Sequence, residues 1–245
     1  MQNEVIQTKA LIVRTVSSGD NDRILTAISP ELGKISVVAK GVKSLKNKNG
    51  AATGVLCYSD LILKQGRELH SLSSAECIEG FYHLRDSVEG LAYAAYFAAL
   101  LEACSEPGIP AAEELRLILN TLHVLQNRPQ DGALLKLVFE LRLSELMGLA
   151  PYISEECQCG AEAEYFDIAE GETACALHKG PGAVRLSHDQ LAVMEYILTS
   201  DLKSALFFAT QPSITAALAP VSEKYLEYHL GYLPKQLAYL KSMVK

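Results

Sequence analysis

The spacing of the apolar residues changes once along this chain, near residue 84, and that change limits the possible folds more than any other feature. Before it, the segments 8–16, 23–29, 34–42, 53–64 and 69–80 are extended and rich in β-branched residues. Gly, Pro, Asn and Asp separate them at 18–22 and 30–33, and Gln-Gly-Arg-Glu does so at 65–68. Within 53–64, Val55, Cys57, Ser59, Leu61 and Leu63 share one face, while Leu56, Tyr58, Asp60, Ile62 and Lys64 share the other. Neither face is cleanly polar, which suits a closed barrel covered on one side. Five short strands without an intervening helix predict a small Greek-key barrel. The OB-fold is the commonest barrel of this size, with an SH3-like barrel as the alternative that strand number leaves open. The stretch 43–52 has no hydrophobic period and is expected to be a mobile loop.

After residue 84 the period is helical. Residues 88–104 carry almost no charge and predict a helix buried nearly all round. Further helices are expected at 111–126, 134–147 (with Gly148 as its C-terminal cap), 187–200, 201–209, 213–230 and 234–243. Ser187 and Gln190 form a capping-box pattern, and Pro234 is expected in the first turn of the last helix. Residues 151–185 lose helical period altogether. The chain therefore reads as an α+β, multi-domain protein: a barrel over 1–80, then a helical domain over 81–245 interrupted by an irregular insert at 151–185.

Composition narrows the function classes. At 49% hydrophobic and 21% charged residues the chain is globular rather than disordered. Its longest apolar run, 91–101, is too short to span a bilayer, and no charged leader followed by an apolar stretch opens the chain. Together with six Cys, this predicts a reducing, cytoplasmic location without disulfides. The net charge of −7 is unevenly spread. Residues 1–80 carry +2, 81–150 carry −4, 151–185 carry −5 and 186–245 are neutral. Between Glu31 and Asp60 lie Lys34, Lys40, Lys43, Lys46 and Lys48 and no acid. Because salt screens charges beyond about 10 Å, such a loop attracts phosphate whatever the total charge. Arg14 and Arg67 extend this candidate DNA-binding surface, although each also reads as an ordinary exposed charge. Tyr58 is the only aromatic residue in 1–80, so backbone attraction must dominate over base stacking.

The insert contains Cys157-Gln-Cys159-Gly160 and, fifteen residues later, Cys175-Ala-Leu-His178. Thiolates and an imidazole in two close pairs suit a structural zinc ion, with a hairpin (164–168 and 173–174) bringing the pairs together. The usual knuckle has two residues between its cysteines and this one has a single residue. Two readings stay open: a zinc site formed by Cys157, Cys159, Cys175 and His178, or a hairpin held by packing alone. Glu155, Glu156, Glu162 and Glu164 beside it read as a solubilising rim. No phosphate-binding Gly-x-x-x-x-Gly-Lys, nucleophile elbow or His-Glu-x-x-His occurs, and the remaining histidines are isolated, so no catalytic function is expected.

The order of these features resembles the RecO family of bacterial recombination-mediator and DNA-repair proteins over essentially the whole chain. The resemblance is carried by Lys9-Ala-Leu-Ile-Val13, Gly19-Asp-Asn-Asp-Arg-Ile-Leu25, Gly33-Lys34 leading to Ala39-Lys40-Gly41-Val42-Lys43, Gly66-Arg67-Glu68-Leu69, Ala75-Glu76 and Tyr225-Leu-Glu-Tyr-His-Leu-Gly231. It implies an N-terminal OB-fold and a helical domain with a zinc-finger-like insert. It also implies binding of single- and double-stranded DNA, strand annealing, and work with RecR, and in some lineages RecF. That work loads RecA onto strands coated by single-strand-binding protein, whose acidic C-terminal tail family members recognise. The chain departs from the family pattern where Glu156 stands in the place of the first expected cysteine. The contrasting reading is a protein-interaction scaffold whose barrel no longer contacts DNA.

Overall fold

A computed structural model describes residues 4–44 and 46–244. Five strands close the N-terminal barrel: β1 (Val5–Ser18), β2 (Asp22–Ser29), β3 (Gly33–Ala39), β4 (Tyr58–Lys64) and β5 (His70–Glu79). Their order around the barrel is β1-β2-β3-β5-β4, with β3 and β5 parallel and the other pairs antiparallel. This is the OB-fold arrangement. Strict alternation drives it: Ile35, Val37 and Ala39 of β3 and Leu61 and Leu63 of β4 turn inward, meeting Ile12, Leu25 and Ala27 in one core.

β1 breaks that alternation once. Ile12 pairs with Ala27, yet Arg14 pairs with Thr26, so Val13 is an extra, bulged residue. Without the bulge, alternation would turn Arg14 into the apolar interior, where an unpaired guanidinium is prohibitively costly. The expected strand 53–64 is shorter than its sequence implies. Ala51–Thr53 is a 3-10 turn, Leu56 takes a left-handed conformation with φ of 67°, and the strand begins only at Tyr58. Leu56 and Cys57 are buried and bond to Ile12 through their backbones, so they imitate strand residues in sequence. Residues 43–52, expected as a mobile loop, include hydrogen-bonded turns: Lys43 N–H donates to the Asn21 carbonyl, and Gly50 N–H to that of Asn47.

Among the described residues seven α-helices follow: α1 (Val88–Cys104), α2 (Ala112–Asn127), α3 (Gly132–Leu146), α4 (His188–Thr199), α5 (Leu202–Phe207), α6 (Pro212–Leu230) and α7 (Gln236–Met243). The Ser187 capping box forms as its spacing implies. Pro234 differs from expectation: it lies before α7, and its carbonyl accepts from Leu237 N–H. Among the described residues no helix is long and apolar enough to cross a membrane.

Two compact units divide the chain, Met1–Leu122 with Ala238–Lys245, and His123–Leu237. In the first, α1 packs on β1, and the α1–α2 connection joins the β2–β3 turn through backbone bonds. Lys34 N–H donates to the Glu106 carbonyl (3.1 Å), Gly108 N–H to Leu32 (2.9 Å) and Ala111 N–H to Pro30 (3.0 Å). In the second, α3 and α6 pack together around Lys136, which pairs with Glu140 (2.8 Å) and Glu223 (2.9 Å). The insert folds into β6 (Tyr165–Asp167), β7 (Glu172–Ala174) and β8 (Val184–Arg185), in the order β7-β6-β8. It rests on α6, where Phe166 meets the Tyr225 ring at 5.5 Å and the Tyr225 hydroxyl donates to the Leu149 carbonyl.

Gly33 adopts φ of 65°, and a Cβ there would collide with the carbonyl oxygens of Ile109 and Glu106. Gly19 has the same backbone conformation, with nothing within 4 Å of its would-be Cβ. Gly19→Ala should therefore cost about 1 kcal/mol from backbone strain alone. Gly33→Ala should cost about 3 kcal/mol or more, seen as a larger fall in the urea unfolding midpoint.

Candidate nucleic-acid interface and metal centre

Cross-strand register places Arg14, Thr26 and Ser36 in one row across the outside of β1, β2 and β3. Lys34 lies in the next row, opposite Ile28. The β4–β5 loop adds Arg67, and β5 begins with His70. These residues line a cavity of about 470 Å³ whose far wall is Glu102, Pro107 and Gly108. Arg14, Lys34 and Arg67 are thus brought together, facing the carboxylates of Glu68 and Glu102. Thr26, Ser36, His70 and Glu102 are members that sequence reasoning missed. The first two could be found from strand parity once the Val13 bulge is known; nothing local points to Glu102.

The other lysines occupy different places. Lys43 Nζ donates to the Gly19 carbonyl at 3.0 Å, tying the β3–β4 loop to the β1–β2 turn. Lys48 lines a separate cavity of about 400 Å³ with Gln7, Asp60 and Glu76. Lys40 and Lys46 are exposed, with no side-chain partner among the described residues. Of the five lysines, Lys34 lines the cavity with Arg14 and Arg67, while Lys40, Lys43, Lys46 and Lys48 follow on the β3–β4 connection. Lys34 also serves the fold itself, since its Nζ donates to the Glu102 carbonyl at 3.0 Å and so caps the negative end of α1.

In the insert, Cys157, Cys159, Cys175 and His178 converge with all their ligand atoms within 4.8 Å of one another. The Cys159 and Cys175 sulfurs are 3.8 Å apart, and His178 Nδ1 lies 3.6 Å from Cys157 Sγ and 3.4 Å from Cys175 Sγ. A tetrahedral ion with metal–sulfur bonds of about 2.3 Å separates its sulfurs by about 3.8 Å, and a sulfur from an imidazole nitrogen by about 3.6 Å. These three edges are close to that tetrahedron, and with all four donors within 4.8 Å of one another the set can hold a metal ion. The single residue between Cys157 and Cys159 suffices because Gly160, at φ of 79°, turns the chain at once. Gly160 N–H bonds back to the Cys157 carbonyl, and Cys157 N–H to that of Ala161.

Electrostatics prepare the same ligands. The Cys175 and Cys159 N–H groups point at the Cys157 sulfur and lower its pKa to about 6. The Leu177 N–H, aided by that of His178, lowers Cys175. At Cys159 the Ala161 N–H favours the thiolate, but desolvation and the neighbouring thiols outweigh it and the pKa rises. Bonds to Cys157 and Cys175 raise His178. Cys157 and Cys175, with their thiolates favoured in this way, have the chemistry that a metal site needs. The acidic rim of Glu155, Glu156, Glu162 and Glu164 lines a cavity of about 670 Å³ shared with Arg185 and His188 of α4.

A closed OB barrel with cations on its outer face, a helical region and a Cys/His-clustered insert define a particular multi-domain class. The chain belongs to the RecO family. Residues 1–81 match the family described as Recombination protein O N terminal, and residues 85–238 the one described as Recombination protein O C terminal. The DNA repair protein RecO of Acetivibrio thermocellus is 30% identical over 243 residues, covering 97% of each chain. That of Alkaliphilus metalliredigens is 29% identical over 231 residues, covering 92% of this chain and 94% of its own. Elemental analysis of the purified protein should return about one divalent ion per chain. The Cys157→Ser, Cys175→Ser double variant should lose it while the barrel stays folded.

Proposed function

We propose that this chain is a non-enzymatic DNA-binding mediator of recombinational repair. It would hold single- and double-stranded DNA on the barrel, promote annealing and, with RecR, assist loading of RecA onto strands coated by single-strand-binding protein. The observation that carries this reading is the cavity on the outer β2–β3 face beneath the β4–β5 loop. That is where OB-folds take oligonucleotides, and here it gathers Arg14, Lys34 and Arg67 on a chain of net charge −7. Lys40, Lys43, Lys46 and Lys48 on the β3–β4 connection would add further phosphate contacts outside this cavity.

Residues 1–80 would form the DNA-binding domain. Residues 81–245 would engage the protein partners, including the acidic tail of single-strand-binding protein and, in some lineages, RecF. The insert 151–185 would bind a zinc ion through Cys157, Cys159, Cys175 and His178. With four protein ligands the ion has no open position, so it would supply stability to the insert and no reaction chemistry. A nucleoid-associated, cytoplasmic location follows from this role.

With no aromatic platform beyond Tyr58, grip rests on phosphates and falls with salt. If all seven named cations contact single-stranded DNA, log K against log salt should have a slope of about −5. Fluorescence anisotropy over a salt series measures it. Lys43, Lys46 and Lys48 changed together to Glu should weaken binding at least tenfold. No binding by the unaltered protein at low salt would leave the scaffold reading in its place.

A further inference from the structure

Resting on the DNA-binding reading above, we propose that Glu102 is a built-in competitor for the DNA backbone, holding two of the cavity's three cations until a phosphate displaces it. Glu102 Oε1 accepts from Arg14 Nε at 2.7 Å, and the Glu102 carbonyl accepts from Lys34 Nζ at 3.0 Å. One residue thus occupies Arg14 and Lys34 through two different oxygens. Of the cavity's three cations, only the Arg67 side chain has neither a hydrogen bond nor an ion pair among the described residues.

The position of Glu102 is imposed by the fold. The chain leaving α1 is fastened to the β2–β3 turn through Lys34 N–H to Glu106, Gly108 N–H to Leu32 and Ala111 N–H to Pro30. The close approach at Gly33 admits no side chain. The last turn of α1, and Glu102 with it, is therefore held against the cavity wall rather than sweeping solvent.

The strength of the pair suits displacement. The Arg14 side chain is 53% exposed and that of Glu102 21%. An ion pair in such surroundings strengthens an equilibrium by a factor of roughly 1.4 to 5, which a phosphate able to take two guanidinium N–H groups can overcome. Glu102 also brings one negative charge to a cavity whose other Arg, Lys and Glu residues are the three cations and Glu68. The carboxylate lowers affinity twice, by occupying Arg14 and by repelling phosphate. Its consequence is fast release, which suits a protein that must hand a strand over.

Glu102→Gln separates charge from hydrogen bonding, because the amide oxygen still accepts from Arg14. In anisotropy titrations with fluorescein-labelled oligothymidylate, this variant should bind roughly three- to tenfold tighter than the unaltered protein. Its salt slope should steepen by about 0.7, one further phosphate contact. Glu102→Ser, which removes the side chain's reach, should also bind tighter. Glu113→Gln makes the same change in net charge at an Arg116-paired site outside the cavity, and it should leave affinity unchanged. In an Arg14→Gln background the gain from Glu102→Gln should shrink. Equal tightening by Glu113→Gln, or affinity unchanged in both Glu102 variants while Arg14→Gln weakens binding, would overturn the competitor role and leave the DNA reading standing. An unaltered protein that binds no oligothymidylate at low salt would overturn both.

Discussion

The carbonyl oxygens of Glu106 and Ile109 lie so near the Gly33 Cα that no side chain fits between them. At this approach two backbones meet: the tight β2–β3 turn, with Gly33 in the left-handed region, and the stretch that leaves α1. Because the bonds are between peptide groups, they fix the direction of the helix end as well as its distance. Lys34 then reaches the α1 C-terminus, Arg14 reaches Glu102, and a cavity forms with the barrel as floor and the connection as wall. Had residue 33 been anything but glycine, the same strands could close, but that outer face would lie open.

The second unit depends on polar interactions of another kind. Lys136 is buried between α3 and α6 with Glu140 and Glu223, and Ser222 donates to Glu140 at 2.6 Å. Burial pulls the lysine toward its neutral form, but the two carboxylates more than compensate, so its pKa is raised. Such a group adds little net stability compared with apolar packing, yet removing one member leaves an uncompensated charge. The group joins α3 to α6 through Lys136–Glu223 and Ser222–Glu140. Nearby, the insert contributes few apolar side chains. Asp167 organises it, accepting from Ala169 and Gly180 N–H, and the Cys/His cluster closes its open end. A sheet of two- and three-residue strands has too little core to hold by burial alone.

Much of this fold was legible because it is written in local periods. α1 occupies 88–104 as its apolar, nearly charge-free run implies, and β3 alternates as its sequence does. The meeting of Cys157, Cys159, Cys175 and His178 was legible as well, because the two pairs flank a predicted hairpin. What escaped is non-local. The Val13 bulge depends on what β2 offers opposite, and apolar Leu56 and Cys57 continue a strand pattern through what is a turn. β8 is two residues long and exists only because β6 has a free edge. Glu102 looks like any helix acid until the β2–β3 turn places two cations beside it.

The barrel closes through a very short seam. β3 and β5 meet over Val37–His70 and Val38–Ser71 alone, in the parallel pairing that is weaker per residue, whereas β1 and β2 share seven partners. A ring opens first at its weakest join. His70 borders both the seam and the cationic cavity, so the weakest join of the ring is also one edge of that cavity. The barrel is in this sense a bracelet with a clasp, and the clasp lies beside its cationic face.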